Sequence, residues 1–174
     1  PLGAWGSPLN SSNRKFKGAS HKSGVNPAYG AVIYYALPKL ADRIKVELVI
    51  KDPLGKELYK ITSKKDKSYV SYPSGPSAPP TIERKEGLNR FVWNLRHKNL
   101  VGAPKVYIEG GYRGREVLPG KYTVALKVGD KVVEKSFAVL KHPKLNISDQ
   151  DFAAYDAFLK EMEETINDMH TKVN

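Results

Sequence analysis

The chain contains no cysteine. That absence excludes a disulfide framework, a thiolate metal site and a cysteine nucleophile together. Long apolar runs are missing as well: nothing approaches the roughly 18 consecutive apolar residues of a membrane helix, and no charged-then-apolar signal segment opens the sequence. A membrane span is therefore not expected. Histidine is sparse, and His21, His97, His142 and His170 stand in separate segments without ligand spacing or an adjoining acid cluster. Neither a metal nor any other cofactor is expected from them. The first residue is Pro1 rather than methionine, and Pro1-Leu2-Gly3 resembles the stub of a cleaved fusion tag, so the sequence is expected to be a piece excised from a larger polypeptide.

What is present suits a folded domain. The 174 residues are 40 % apolar and rich in β-branched and aromatic types, enough to build one core with some appended structure. Net charge is +11, from 29 Lys and Arg against 18 Asp and Glu. A surplus of that size favours polyanions. The basic residues, however, are spread along the chain, with short clusters only at Arg14-Lys15-Lys17 and Lys64-Lys65-Lys67, and no aromatic-basic signature accompanies them. They describe a solvated surface, and nucleic acid is not an expected partner.

Residues 1–26 are rich in Gly, Ser, Asn and Lys and read as a flexible linker or tag-derived lead-in, with Trp5 its one tryptophan. A β-sandwich is expected over 27–143. Tyr29 to Tyr35 is a run of β-formers closed by Leu37-Pro38. Ile44, Val46, Leu48 and Ile50 alternate with Lys45, Glu47 and Val49, and Asp52-Pro53-Leu54-Gly55 suits a type I turn into a partner strand from Glu57 to Thr62. Residues 63–87, with four prolines, predict an exposed loop. Asn89 to Arg96 resumes the alternation, placing Phe91, Trp93 and Leu95 on one face and Trp93 in the core. After Pro119-Gly120, a strand over Lys121–Val128 turns at Gly129-Asp130 into Lys131–Leu140. Six short strands with turn signals between them predict an antiparallel, immunoglobulin-like sandwich.

Over 146–173 the period changes. Asn146 to Asp149 offer cap residues, and Phe152, Tyr155, Leu159, Met162, Ile166, Met169 and Val173 recur at spacings of three and four, an a/d seam of about three heptads. Such a stripe calls for a partner. The helix docks on the sandwich, pairs with a second helix in trans, or pairs with a helix downstream of Asn174.

Three segments carry a family resemblance. Asn26-Pro27-Ala28-Tyr29-Gly30-Ala31-Val32-Ile33-Tyr34-Tyr35 resembles an "NPPYGAVIxYYL" opening, Gly87-Leu88-Asn89-Arg90-Phe91-Val92-Trp93-Asn94-Leu95-Arg96 resembles "GxNRFVWDLRY", and Leu118-Pro119-Gly120-Lys121-Tyr122-Thr123-Val124 resembles "xxPGTYTVRL". In this order they are similar to the C-terminal region of large bacterial proteins with sortilin-like BNR (Asp-box) repeat propellers, often labelled glycosyl hydrolases. Ala28 replaces a proline and Asn94 the usual aspartate, so no role of that carboxylate carries over. The resemblance implies an immunoglobulin- or fibronectin-III-like accessory module on an exported, extracytoplasmic protein, with the propeller of the parent chain as a partner. The hydrolase label belongs to the propeller repeats, none of which is present here.

Catalysis finds no support in the residues themselves. Glycoside hydrolysis needs two carboxylates flanking one bond, whereas Glu47, Glu57, Glu83, Glu86, Asp130 and Glu134 mostly fall beside lysines or in turns. Ser71, Ser74 and Ser77 lack a nucleophile elbow, and Gly110-Gly111 lacks the strand and helix of a phosphate loop. Sugars do stack on exposed aromatics, and Tyr69, Tyr72, Tyr107 and Tyr112 fall in predicted loops, which makes them the carbohydrate-binding candidates. The sequence thus predicts a non-catalytic accessory or interaction module. A carbohydrate-binding module supporting a hydrolase in the same chain is the alternative, and a polyanion-binding surface a third.

Overall fold

The computed structural model describes residues 28–104, 106 and 110–173. The lead-in over 1–26, with Trp5, and Tyr107 lie outside the described residues. Six strands, β1 (Ala31–Leu37), β2 (Val46–Lys51), β3 (Glu57–Thr62), β4 (Gly87–Trp93), β5 (Gly120–Val128) and β6 (Lys131–Val139), precede one helix, α1 (Asp149–Lys172). They form two antiparallel sheets, β1-β4 and β3-β2-β5-β6.

The turns follow from local chemistry. The Asp52 carboxylate accepts from the backbone N–H groups of Leu54 and Lys56, and Gly55 takes the left-handed conformation (φ 80°) that closes the β2–β3 turn. Gly129 (φ 56°) does the same between β5 and β6. Two boundaries differ from the alternation. The first strand starts at Ala31, because Gly30 bends the backbone at φ 121°, where an added Cβ would lie 2.1 Å from the Trp93 carbonyl oxygen. The fourth ends at Trp93, short of Arg96, because Leu95 flips to φ 59°.

Period-2 alternation puts Val46, Leu48 and Ile50 of β2 on the same face as Val128, Leu126 and Val124 of β5, and this face meets the β1-β4 sheet. Trp93 is 1 % exposed. Its ring centroid lies 5.9 Å from Tyr122 and 6.2 Å from Phe137, an arrangement that joins both sheets. The one buried polar side chain among the described residues, Asn89, is satisfied by the Lys85 N–H and the Lys85 and Gly87 carbonyls, so it pins the entry to β4 at no desolvation cost. On the outer face of the larger sheet, Val49 and Ala125 are also buried, and the same face carries the Lys51–Glu134 and Lys60–Glu47 ion pairs.

The proline-rich connection over 63–86 is largely exposed yet tied down. Ile82 plugs the core, the Ile82 N–H donates to the Thr62 carbonyl, and the Tyr35 hydroxyl donates to the Glu83 carbonyl at 2.6 Å.

Truncating Trp93 to alanine is expected to cost about 3–5 kcal/mol, and Gly30→Ala should destabilise measurably through both its φ and the blocked Cβ. Urea denaturation followed by circular dichroism checks both.

Candidate functional site

The connection from β4 to β5 carries the site. Beyond Trp93 the chain runs back on itself as a ribbon, with His97 N–H donating to the Arg115 carbonyl (3.0 Å), Leu100 N–H to the Tyr112 carbonyl (2.7 Å) and Val117 N–H to the Leu95 carbonyl (2.9 Å). The Trp93 indole N–H donates to the Arg96 carbonyl, and the Arg96 guanidinium donates to the Gly114 carbonyl and to the Glu116 carboxylate at 2.6 Å. Gly114 is required by space: a Cβ there would meet the Lys98 carbonyl oxygen at 2.2 Å. The core tryptophan thereby fixes the ribbon, and the ribbon fixes Arg115.

Helix α1 begins at an N-cap, Ser148, whose hydroxyl accepts from the Asp151 N–H, with Asp149 and Asp151 in the first turn where the helix dipole favours acids. It lies against the ribbon. The Arg115 guanidinium takes two of its carboxylates, Asp156 at 2.7 Å and Glu163, while the Arg115 backbone N–H donates to Glu163 at 2.6 Å. All three side chains are mostly shielded from solvent (12 %, 23 % and 16 % exposed). Burial by itself lowers the Arg115 pKa; hydrogen bonds and charge from Asp156 and Glu163 outweigh it, and the net shift is upward. One turn further on, the Asn167 side chain accepts from the Val101 N–H at 2.8 Å and His170 Nδ1 lies 2.6 Å from the Val101 carbonyl, so the helix satisfies the ribbon's backbone. At the other end, the Lys141 ammonium lies 5.5 Å from the Phe152 ring centroid and pairs with Asp149. Tyr122, whose phenol is pushed up to about 12 by burial and then by the charges of Asp156 and Asp52, shows how near the clamp lies to the core.

The predicted seam divides. Phe152, Leu159 and Ile166 are half-buried on the docked side, together with Asp156, Glu163, Asn167 and His170. Tyr155, Met162, Met169 and Val173 stay 60 %, 45 %, 54 % and 69 % exposed, and Phe158 extends their stripe. Between stripe and ribbon runs a shallow groove of about 260 Å³, with Leu159, Met162 and Ile166 on one wall and Arg96, Arg113 and Arg115 on the other. Sequence patterning missed Arg115, Asp156, Glu163, Asn167, His170, Arg113 and Phe158. The docked face of Asp156, Glu163, Asn167 and His170 repeats at the same three-and-four spacing as the apolar seam, but nothing in a basic residue 41 positions from Asp156 announces the pairing.

Of the tyrosine candidates, Tyr69, Tyr72 and Tyr112 do come together. Tyr112 is 7 % exposed and stacks edge-on against His170 at 6.0 Å. Tyr72 packs so closely on Gly102 that a Cβ there would lie 2.1 Å from its hydroxyl, and its pKa is raised by desolvation and by the adjacent Tyr112. The Tyr69 hydroxyl donates to the Pro76 carbonyl at 2.9 Å. They make a packed cluster rather than an open stacking platform.

Among the described residues, no group of three or more acidic or histidine side chains could hold a metal ion, and no helix is long and apolar enough to cross a membrane. Comparisons with family models, with curated proteins and with solved structures find no match.

Two outcomes are expected. Arg115→Met leaves Asp156 and Glu163 without their cation and should accelerate amide exchange throughout α1, at a cost of about 1–3 kcal/mol in helix opening, with β-strand protection retained. Burial and then the Arg115 charge lower the His97 pKa, so the folded protein disfavours the imidazolium. Stability is full above the unfolded value of 6.5 and falls as the pH drops through it, because the unfolded chain takes up that proton first. The decline should be smaller in His97→Gln, measured by denaturant titration at pH 8 and pH 5.

Proposed function

We propose that this chain is a non-catalytic interaction module in which an immunoglobulin-like sandwich holds one amphipathic helix and presents its free apolar stripe to another protein surface. The observation that carries the proposal is the division of α1: its polar clamp is spent on its own ribbon, while Tyr155, Phe158, Met162, Met169 and Val173 remain uncovered. Exposed apolar surface of this extent on a folded domain marks a contact site. Support for the immunoglobulin-like assignment comes from the strand order, in which β1 and β4 take the places of strands B and E and β3-β2-β5-β6 those of C′-C-F-G. The Tyr122 hydroxyl, near the start of β5, donates to the Leu118 carbonyl four residues upstream at 2.7 Å, as in a tyrosine corner. With the motifs at 26–35, 87–96 and 118–124, these features favour an accessory module of an exported bacterial protein bearing a BNR-type propeller, and hence an extracytoplasmic location.

The glycan-binding alternative needs an open aromatic platform, and the loop candidates Tyr72, Tyr69 and Tyr112 are instead engaged by Gly102, the Pro76 carbonyl and His170 respectively. Two measurements separate the alternatives. Isothermal titration with a panel of neutral and acidic oligosaccharides is expected to give no saturable heat. Met162→Asp, compared with the parent at high dilution, is expected to change unfolding stability by less than about 0.5 kcal/mol, because the stripe serves a partner and not the fold. Saturable sugar binding that Tyr72→Ala abolishes, or a loss of several kcal/mol in Met162→Asp, contradicts the proposal.

A further inference from the structure

We infer that the occupant of the free stripe is a second copy of this chain, its α1 lying parallel to the first. The inference rests on the interaction-module proposal and adds the partner. At 3.6 residues per turn, the stripe of Tyr155, Phe158, Met162, Met169 and Val173 faces roughly a quarter-turn away from the docked face of Asp156, Glu163 and His170. A quarter-turn to the other side lie Glu161 and Asp168. Asp168 is engaged by Lys172 at 2.6 Å, whereas Glu161 makes no ion pair among the described residues. On the ribbon side, Arg96 is engaged by Glu116 and Arg115 by the helix, whereas Arg113, exposed at the groove, makes no ion pair among the described residues. Each copy thus offers one unengaged cation on one flank of the stripe and one unengaged carboxylate on the other.

Symmetry selects the arrangement. A two-fold axis that sets the helices antiparallel keeps like flanks together, placing Arg113 beside Arg113, sandwich beside sandwich and Glu161 beside Glu161. A two-fold axis along the helices exchanges the flanks and sets each Glu161 beside Arg113 of the other copy. Arg113 lines the groove with Leu159, Met162, Glu163 and Ile166, so it stands within about 8 Å of the level of Glu161 along the axis, a span that two long side chains close. The wider charge pattern agrees: seven of the chain's 18 acidic residues lie in the 24-residue helix, beside only two lysines, and the helix flank is drawn to a basic body. The apolar stripe supplies the contact, and the charges set its direction.

Sedimentation equilibrium of the full chain tests this. The expected result is a monomer–dimer equilibrium with a dissociation constant on the order of micromolar to tens of micromolar, as a small helix-to-helix contact gives. Met162→Asp should abolish the dimer while leaving the circular dichroism spectrum unchanged. Arg113→Glu and Glu161→Arg should each weaken the dimer about tenfold, and the double variant should restore it to within about threefold. Because the chain has no cysteine, Met169→Cys gives a single thiol that should oxidise to a disulfide-linked dimer in the parallel pair. A chain that is monomeric at about 1 mM, or a dimer indifferent to Met162→Asp, overturns the second copy as occupant. Preferential cross-linking in a mixture of Tyr155→Cys and Met169→Cys chains overturns the parallel arrangement. A monomer whose sugar titrations are silent would remove the second copy and leave the interaction module standing; a monomer with saturable sugar binding would remove both.

Discussion

One guanidinium organises the C-terminal half of the molecule. Arg115 faces two carboxylates of α1, Asp156 and Glu163, and its own backbone N–H binds the second of them, so a single ribbon residue fixes both the position and the rotation of a 24-residue helix. A helix held this way docks by a mixed edge, Phe152, Leu159 and Ile166 beside Asp156, Glu163 and His170, and does not need its remaining apolar side chains for docking. Charge-assisted hydrogen bonds in a partly shielded site are individually worth more than exposed pairs, and three from one residue, reinforced by Asn167 and His170 on Val101, hold what would otherwise need a hydrophobic face. The consequence is functional: the apolar stripe stays outside.

That clamp depends in turn on the core. Trp93 joins the two sheets through Tyr122 and Phe137 and anchors the Arg96 carbonyl with its indole N–H; Arg96 ties the two arms of the ribbon through Gly114 and Glu116. Sheet, ribbon and helix are linked in series, each positioned by the one before. Gly114 sits at a tight point of the series, where only a residue without Cβ lets the ribbon arms approach. Coupling the helix to a rigid sandwich restricts its orientation, which lowers the ordering cost of any contact made by the stripe.

The sheet was legible from the sequence because its signals are local. Asp52-Pro53-Leu54-Gly55 and Gly129-Asp130 carry their own turn chemistry, and alternation at Val46–Ile50 and Tyr122–Val128 places the faces correctly. Trp93 was legible as core for the same reason. The strand ends at Gly30 and Leu95 were not, since both answer to a backbone conformation set by the opposing strand and the ribbon. The site was half legible. The heptad spacing finds the helix and its apolar seam, but Phe152, Leu159 and Ile166 share an edge with Asp156, Glu163 and His170, and no periodicity says which edge docks. That choice is made by Arg115, distant in sequence. Loop position predicts exposure for the tyrosines, whereas Tyr112 is buried against His170 and Tyr72 is half-buried on Gly102, contacts made across long stretches of chain.

The central claim is that α1 is docked by one edge with its methionine-bearing stripe free. Methyl NOE spectroscopy of dilute protein labelled at methionine and isoleucine methyl groups tests it most directly. The account predicts cross-peaks from the Ile166 δ1 methyl to Arg96 and Arg115 of the ribbon, and none from the Met169 ε methyl beyond its own helix. Contacts between the Met169 methyl and sandwich residues, or an Ile166 methyl without ribbon neighbours, would contradict it.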